Sequence, residues 1–258
     1  MESSRAGIYL TATLSVGVGD PANNHMIRNE MTQLRLAVFD CDGTLVDSQH
    51  NIVAAMEAAW RARGLQPLPP ASVRRVVGLP LLEAISILHP LGSKEIHLSL
   101  TEDYKNAFHS LRQQPNHHEP LYPGTVEALD AMEAAGFGLA VATGKSRRGL
   151  DATLERHGIQ GRFLTLKTAD DGPGKPHPHM LEAAMAEAGV GPAATLMIGD
   201  TVFDIEMARN AQVRSIGVSW GYHDPDELHA AGAAGVIDEF GELAAMAAEL
   251  FGGENATR

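Results

Sequence analysis

The sequence predicts an α/β fold, a doubly wound parallel sheet core carrying an inserted all-helical domain. Three observations predict it. Short apolar runs at 36–39, 138–142, 163–166, 195–198 and 213–218 have the length of buried strands. From Gly124 onward these runs alternate with stretches of helical periodicity, the pattern that builds a parallel sheet with helices on both faces. Between the first run and residue 118 only helical patterns occur, so that block is expected to be a separate small domain inserted after the first strand.

Residues 1–33 mix Gly17, Gly19, Pro21, Asn23 and Asn24 without a sustained period. The run at 8–18 is broken by Thr and Gly and lacks an extended cationic leader, so a disordered N-terminal arm is expected rather than a signal peptide. Met26 and Met31 each offer an alternative start to Met1. The strand at 36–39 runs into an acid and glycine loop, after which Ile52, Met56, Ala59 and Trp60 recur at helical spacing up to Gly64. Pro67, Pro69 and Pro70 mark a turn, 72–77 and 82–88 are expected as short helices, and 93 to 112 as a longer one. Linkers are placed at 47–49 and 117–123, where Pro120 and Pro123 favour an extended chain. The core is therefore 34–47 with 119–258, and the insert is 48–118.

Val126, Leu129 and Met132 line a helix before the strand at 138–142, and Leu150, Thr153, Leu154 and His157 line the next, closed by Gly158. After the strand at 163–166, Leu181, Ala184, Met185 and Ala188 form a third stripe. Strand 195–198, helix 202–210, strand 213–218, a weak strand at 235–237 and a helix at 242–250 complete the chain.

Composition narrows the function. A length of 258 residues corresponds to one or two domains at about 150 residues each. The net charge of −12 argues against nucleic-acid binding, which needs clustered Lys and Arg. An anionic substrate would need a local cation on such a chain. No apolar stretch approaches the roughly 20 residues of a membrane span, so no membrane contact is expected. Cys41 is the only cysteine, so no intrachain disulfide can form and a cytoplasmic setting is expected.

Four loops carry the chemistry. In Asp40-Cys41-Asp42-Gly43-Thr44 the two acids sit two apart, so both carboxylates face one side if the extended conformation persists. They repel unless a cation lies between them or one holds a proton. The first outcome makes Asp40 a magnesium-bound nucleophile and the second makes Asp42 a proton donor, while Gly43 lets the backbone turn and expose amides. Thr143 and Gly144, after the strand at 138–142, offer a hydroxyl and a flexible amide to phosphate oxygens. Lys145-Ser146 invites a Walker A reading, but Leu139 stands where that motif needs glycine. Lys175, in a loop stiffened by Pro173 and Pro176, is suited to act as a fixed charge on phosphate and Asp40. Asp200 and Asp204 are expected at i and i+4 on a helix, Asp200 as a direct magnesium ligand and Asp204 one step removed. A helix N-cap with a first-turn acid explains that pair equally well. His177 with His179, and His117 with His118, lack a third ligand and are expected at the surface.

With DCDGT at 40–44, ATG at 142–144, GKP at 174–176 and GDTVFD at 199–204, the sequence resembles the haloacid dehalogenase superfamily from Leu34 to the C-terminus. The resemblance implies a Rossmann-like core and a helical cap of the phosphoglycolate phosphatase-like branch. It implies that Asp40 is the nucleophile, Asp42 the acid/base, Thr143 and Lys175 phosphate-binding groups, and Asp40, Asp200, Asp204 and the Asp42 carbonyl the magnesium ligands. Phosphonatases and dehalogenases of the superfamily lack an acid at the position of Asp42, which favours phosphate ester chemistry on a small phosphorylated metabolite, by a monomer or homodimer. A sugar-phosphate mutase and a pyrophosphatase or nucleotidase are the rivals within the superfamily. A phospho-accepting receiver module also combines Asp, Thr and Lys, but its acidic pair precedes the acceptor, and here the second pair follows Lys175. A cysteine phosphatase needs arginine at position 47, where Asp47 stands. Arg74 and Arg75, before the turn Gly78-Leu79-Pro80, are candidates to grip a substrate carboxylate, against the alternative of a solvated helix face.

Overall fold

The chain is described from a computed structural model over residues 34–115 and 117–252, and the arm expected at 1–33 lies outside the described residues. Strand β1 (Arg35–Phe39) opens the fold. The chain then leaves for helices α1 (Gln49–Ala62), α2 (Pro70–Arg74), α3 (Leu81–Leu88) and α4 (Lys94–Arg112) before returning to the sheet. The remainder alternates as α5 (Thr125–Ala134), β2 (Phe137–Ala142), α6 (Arg147–Arg156), β3 (Phe163–Lys167), α7 (His179–Ala188), β4 (Thr195–Gly199), α8 (Val202–Asn210), β5 (Arg214–Val218), α9 (Pro225–Ala231), β6 (Gly235–Ile237) and α10 (Leu243–Gly252). The strands form one sheet in the order β3-β2-β1-β4-β5-β6, with every adjacent pair parallel.

The residues of β1 explain the layering. Successive side chains leave a strand on opposite faces, and all four of Leu36, Ala37, Val38 and Phe39 are apolar, so both faces must be covered. Ala37 and Phe39 join Leu129, Leu150 and Leu243 of α5, α6 and α10, whereas Leu36 and Val38 join Leu181 and Met207 of α7 and α8. The chain extends the sheet from β1 through β2 to β3, then crosses to the other side of β1 for β4. That reversal opens a crevice at the carboxyl ends of β1 and β4.

The helical insert has its own apolar cluster, built on Ile52, Met56, Trp60, Val73, Ile85 and Leu100. Its two connections run side by side: the Asp47 N–H donates to the Pro120 carbonyl (2.9 Å) and the Tyr122 N–H to that of Leu45 (3.0 Å). The turn at 78–80 reaches the sheet loops so closely that a Cβ on Gly174 would lie 2.8 Å from the Pro80 ring.

Two expectations need correction. The helix expected at 72–77 begins at Pro70 and stops at Arg74, because proline's missing N–H costs nothing in a first helical turn. Helix α9 was not expected, because Leu228 is its only buried residue and it shows no apolar period. Its signal lies at the ends, with Asp224 and Glu227 in a capping box, Pro225 at the start and left-handed Gly232 after it. Among the described residues no helix is long and apolar enough to cross a membrane.

Candidate active site

The crevice gathers the four loops. Asp40 follows β1, and its N–H donates to the Ile198 carbonyl of β4 (2.9 Å), which fixes it beside Asp200 at the tip of the neighbouring strand. Gly43 turns with φ +89°, and a Cβ there would stand 2.3 Å from Asp200 Oδ2 and 2.5 Å from the Tyr222 ring, so only glycine fits. The Thr44 hydroxyl donates to Asp200 Oδ1 (2.8 Å) and the Tyr222 N–H to Asp200 Oδ2 (2.9 Å).

Asp204 converges on the same point by a route that differs from the expected one. Thr201, not Asp200, is the N-cap of α8, so Asp200 precedes the helix and the two acids do not share a helix face. Asp204 Oδ2 accepts from the N–H (3.0 Å) and hydroxyl (2.7 Å) of Thr201, which turns Oδ1 toward Lys175. Lys175, 1% exposed, places Nζ 2.8 Å from Asp40 Oδ1 and 2.6 Å from Asp204 Oδ1. Asp40, Asp200 and Asp204 each present an oxygen within 4.8 Å of the others, all buried. Asp40 Oδ1 and Asp204 Oδ1 lack an aligned hydrogen-bond donor despite those close ionic contacts. Buried oxygen donors of this kind suit a hard divalent cation.

Asp42 faces elsewhere. Its Oδ1 accepts from the Ser48 hydroxyl and lies 2.6 Å from Lys145 Nζ, which also pairs with Glu119 Oε1 at 3.0 Å. Its Oδ2 has no partner among the described residues. Thr143 is buried at the tip of β2, where its N–H donates to the Lys167 carbonyl (3.0 Å) and its hydroxyl accepts from the Lys145 N–H (3.3 Å). Gly144 lies under the insert's turn, where a Cβ would be 3.6 Å from the Gly78 carbonyl oxygen.

With this geometry in place, comparison with known proteins is decisive: the family model described as "Haloacid dehalogenase-like hydrolase" matches residues 37–218. The chain belongs to that family. It is 35% identical to the "Probable phosphatase IndB" of Dickeya dadantii (strain 3937), over 83% of this chain and 94% of the relative. It is 33% identical to a phosphoglycolate phosphatase of Vibrio vulnificus (strain YJ016), over 83% and 96%. Among solved structures, a hydrolase from Pseudomonas syringae superposes with a TM-score of 0.72 at 28% identity, covering 83% of this chain and 98% of that one.

The electrostatics of this haloacid dehalogenase-like hydrolase follow from burial and crowding. Burial raises Asp40 to about 6 against the lowering pull of Lys175, with Asp204 pushing the same way as burial. Burial raises Asp200 well above the carboxylate range, reinforced by Asp204 and Asp40 and opposed by the bonds from Thr44 and Tyr222. A bound cation would reverse this balance by favouring the charged carboxylates. On Lys145, burial opposes the charge, but Asp42 and Glu119 outweigh it and hold the ammonium protonated far above its ordinary range.

Several groups at the site were not anticipated. In the sequence Lys145 stands only in an incomplete P-loop pattern, and Glu119, 3% exposed in the structure, falls in a linker. Tyr222 lies in the loop after β5 and reaches both Asp200 and Ser48 (Oγ to Oη 3.2 Å). Its signal was an aromatic beside Gly221 at a strand tip, where a Cβ on Gly221 would fall 2.1 Å from Asp200 Cβ. The candidate arginines are engaged elsewhere: Arg75 makes two bonds to Glu227 of α9 (2.5 and 2.8 Å), and Arg74 donates to Gln49 (3.3 Å).

Proposed function

We propose that the protein is a magnesium-dependent phosphatase that hydrolyses a small, phosphoglycolate-like phosphate monoester through a phosphorylated Asp40, with residues 48–118 acting as a cap. The observation that carries this reading is the buried cluster of Asp40, Asp200 and Asp204 around Lys175, with Asp42 held apart on Lys145. Asp40, Asp200, Asp204 and the Asp42 carbonyl would hold the magnesium, whose chemistry when bound is to neutralise charge on the phosphoryl oxygens.

In the proposed sequence an Asp40 oxygen attacks phosphorus in line and the ester P–O bond breaks. Asp42 gives its proton to the departing alkoxide. Water then attacks phosphorus, the aspartyl P–O bond breaks, and Asp42 takes the water's proton, leaving inorganic phosphate and Asp40 as before. Lys175, the Thr143 hydroxyl and the backbone at Gly43 and Gly144 would hold the phosphoryl oxygens where charge develops. Ser48 and Lys145 fix one oxygen of Asp42, which supports the other as the one facing the leaving group.

The test is phosphate release from a panel of small esters with and without magnesium, run beside the Asp42→Asn variant. Turnover is expected to need the metal and to fall by about 10²–10⁴ in the variant. Metal-independent hydrolysis, or near-normal turnover without the Asp42 acid, would remove those assignments. Release that depends on added hexose bisphosphate would identify a mutase instead.

A further inference from the structure

We infer that Arg112, at the carboxyl end of α4, is a specificity-determining residue that receives a second anionic group carried by the substrate's leaving portion, a carboxylate or a further phosphate. The inference rests on the phosphatase reading above and deepens it. Arg112 Nε is buried with no hydrogen-bond partner among the described residues, and the guanidinium makes no ion pair among them. Its Cζ lies 4.9 Å from the centroid of the Phe108 ring, and its charge helps to lower Glu119 without the two groups pairing directly. A guanidinium presents five donors in a fork that matches carboxylate and phosphate. Leaving such a donor buried and unpaired is costly, so an acceptor supplied by a ligand is the natural complement.

Position supports the same conclusion. Lys145 Nζ lies 5.5 Å from the centroid of that Phe108 ring and 2.6 Å from Asp42 Oδ1, so Arg112 and the group expected to protonate the leaving oxygen neighbour one ring. Tyr104, Phe108 and Arg112 follow at i, i+4 and i+8 on one face of α4, with the first two rings 5.8 Å apart. On the other side, a Cβ built on Gly149 in the first turn of α6 would be 3.2 Å from both terminal nitrogens of Arg112. The positive end of a helix disfavours a lone cation and so favours an anion beside this guanidinium. The other four insert arginines are engaged elsewhere: Arg61 with Glu57, Arg63 with Asp103, Arg74 with Gln49 and Arg75 with Glu227.

The experiment compares kcat/KM for 2-phosphoglycolate, 3-phosphoglycerate, fructose 1,6-bisphosphate and uncharged-tail glycerol 3-phosphate in the parent, Arg112→Gln and Arg112→Lys. In Arg112→Gln the ratio of the preferred anionic ester to glycerol 3-phosphate is expected to fall at least about tenfold, chiefly through KM, with partial recovery in Arg112→Lys. Whether the carboxylate or the bisphosphate arm moves more identifies the anion. A second measurement needs no variant: glycolate or glycerate should inhibit glycerol 3-phosphate hydrolysis more strongly than uncharged glycerol does. An unchanged ratio in Arg112→Gln, or equal inhibition by charged and uncharged alcohols, overturns the inference while leaving the phosphatase reading intact. Release of phosphate from none of the four esters overturns both.

Discussion

Replacing Lys145 by methionine keeps the length of the side chain and removes the one cation that separates Asp42 from Glu119. The lysine side chain is 5% exposed and its Nζ lies 2.6 and 3.0 Å from the two carboxylates. Removing one member of a buried ion pair costs about 3–5 kcal/mol, because the remaining charge is left uncompensated. At roughly 2–4 °C per kcal/mol for a domain of this size, the melting temperature should drop by roughly 6–20 °C. The pH dependence gives an independent sign. Burial tends to raise Glu119, but Lys145 outweighs it and holds the folded value below the ordinary 4.5. Its contribution in the parent is therefore present above 4.5 and is lost as pH falls through the lowered folded value. In Lys145→Met burial is opposed only by Arg112 and His117, so the folded value is expected to rise and the stabilising contribution of this group above 4.5 to shrink or reverse. Urea denaturation across pH 4–8 reads both effects. Adding Glu119→Gln to Lys145→Met should restore part of the loss, with a coupling of about 0.5–3 kcal/mol. A Lys145→Met variant within about 1 kcal/mol of the parent, with no gain from Glu119→Gln, would refute the reasoning.

Three further outcomes are expected. Magnesium at a hundred times its dissociation constant should stabilise the fold by about 2.7 kcal/mol, read as a melting shift of roughly 5–11 °C. EDTA should abolish that shift, and a full shift in Asp200→Asn would remove the acid from the metal site. Gly43→Ala should cost about 1–2 kcal/mol for its left-handed backbone alone and displace Asp200 or Tyr222, so it should also lose the magnesium shift; parent-like melting in the metal would contradict the close approach. Arg75→Ala breaks an exposed contact between insert and core and should change global stability by no more than about 1 kcal/mol. It should nevertheless speed amide hydrogen exchange at 75–80, and unchanged exchange there would deny the contact a local role.

The strand tips were legible because each ends an apolar run in a small set of functional residue types, and the sheet's reversal at β1 brings those ends together. The convergence of Asp40, Lys175, Asp200 and Asp204 follows from that topology. The partners of Asp42 were not legible. Glu119 and Lys145 are 26 positions apart, with α5 and β2 between them, and neither sits in a pattern that betrays burial. Burial of a charged residue depends on the partner it meets in three dimensions, and periodicity carries no record of that meeting. The acid at 204 is legible as a residue, and α8 starts at Val202 as expected, but Asp200 lies before the capping Thr201 and so is not on the helix with it.

The arrangement of the first loop also answers a problem posed by its own sequence. Two carboxylates two residues apart in one crevice repel each other. The fold gives each its own lysine: Lys175 from the loop after β3 meets Asp40, and Lys145 from the loop after β2 meets Asp42. Asp40 then belongs to a crowded acidic cluster suited to a cation, whereas Asp42 belongs to a chain of charges leading to Glu119 and the aromatic face of α4. Carboxylates in such different surroundings can be set to different tasks within one loop. Exchanging the charge at Lys145 should therefore disturb proton transfer and leaving-group selection more than metal binding, while exchanging it at Lys175 should disturb metal and phosphate binding first. If both variants lost the magnesium melting shift equally, the two environments would not be separate and this division of labour would fail.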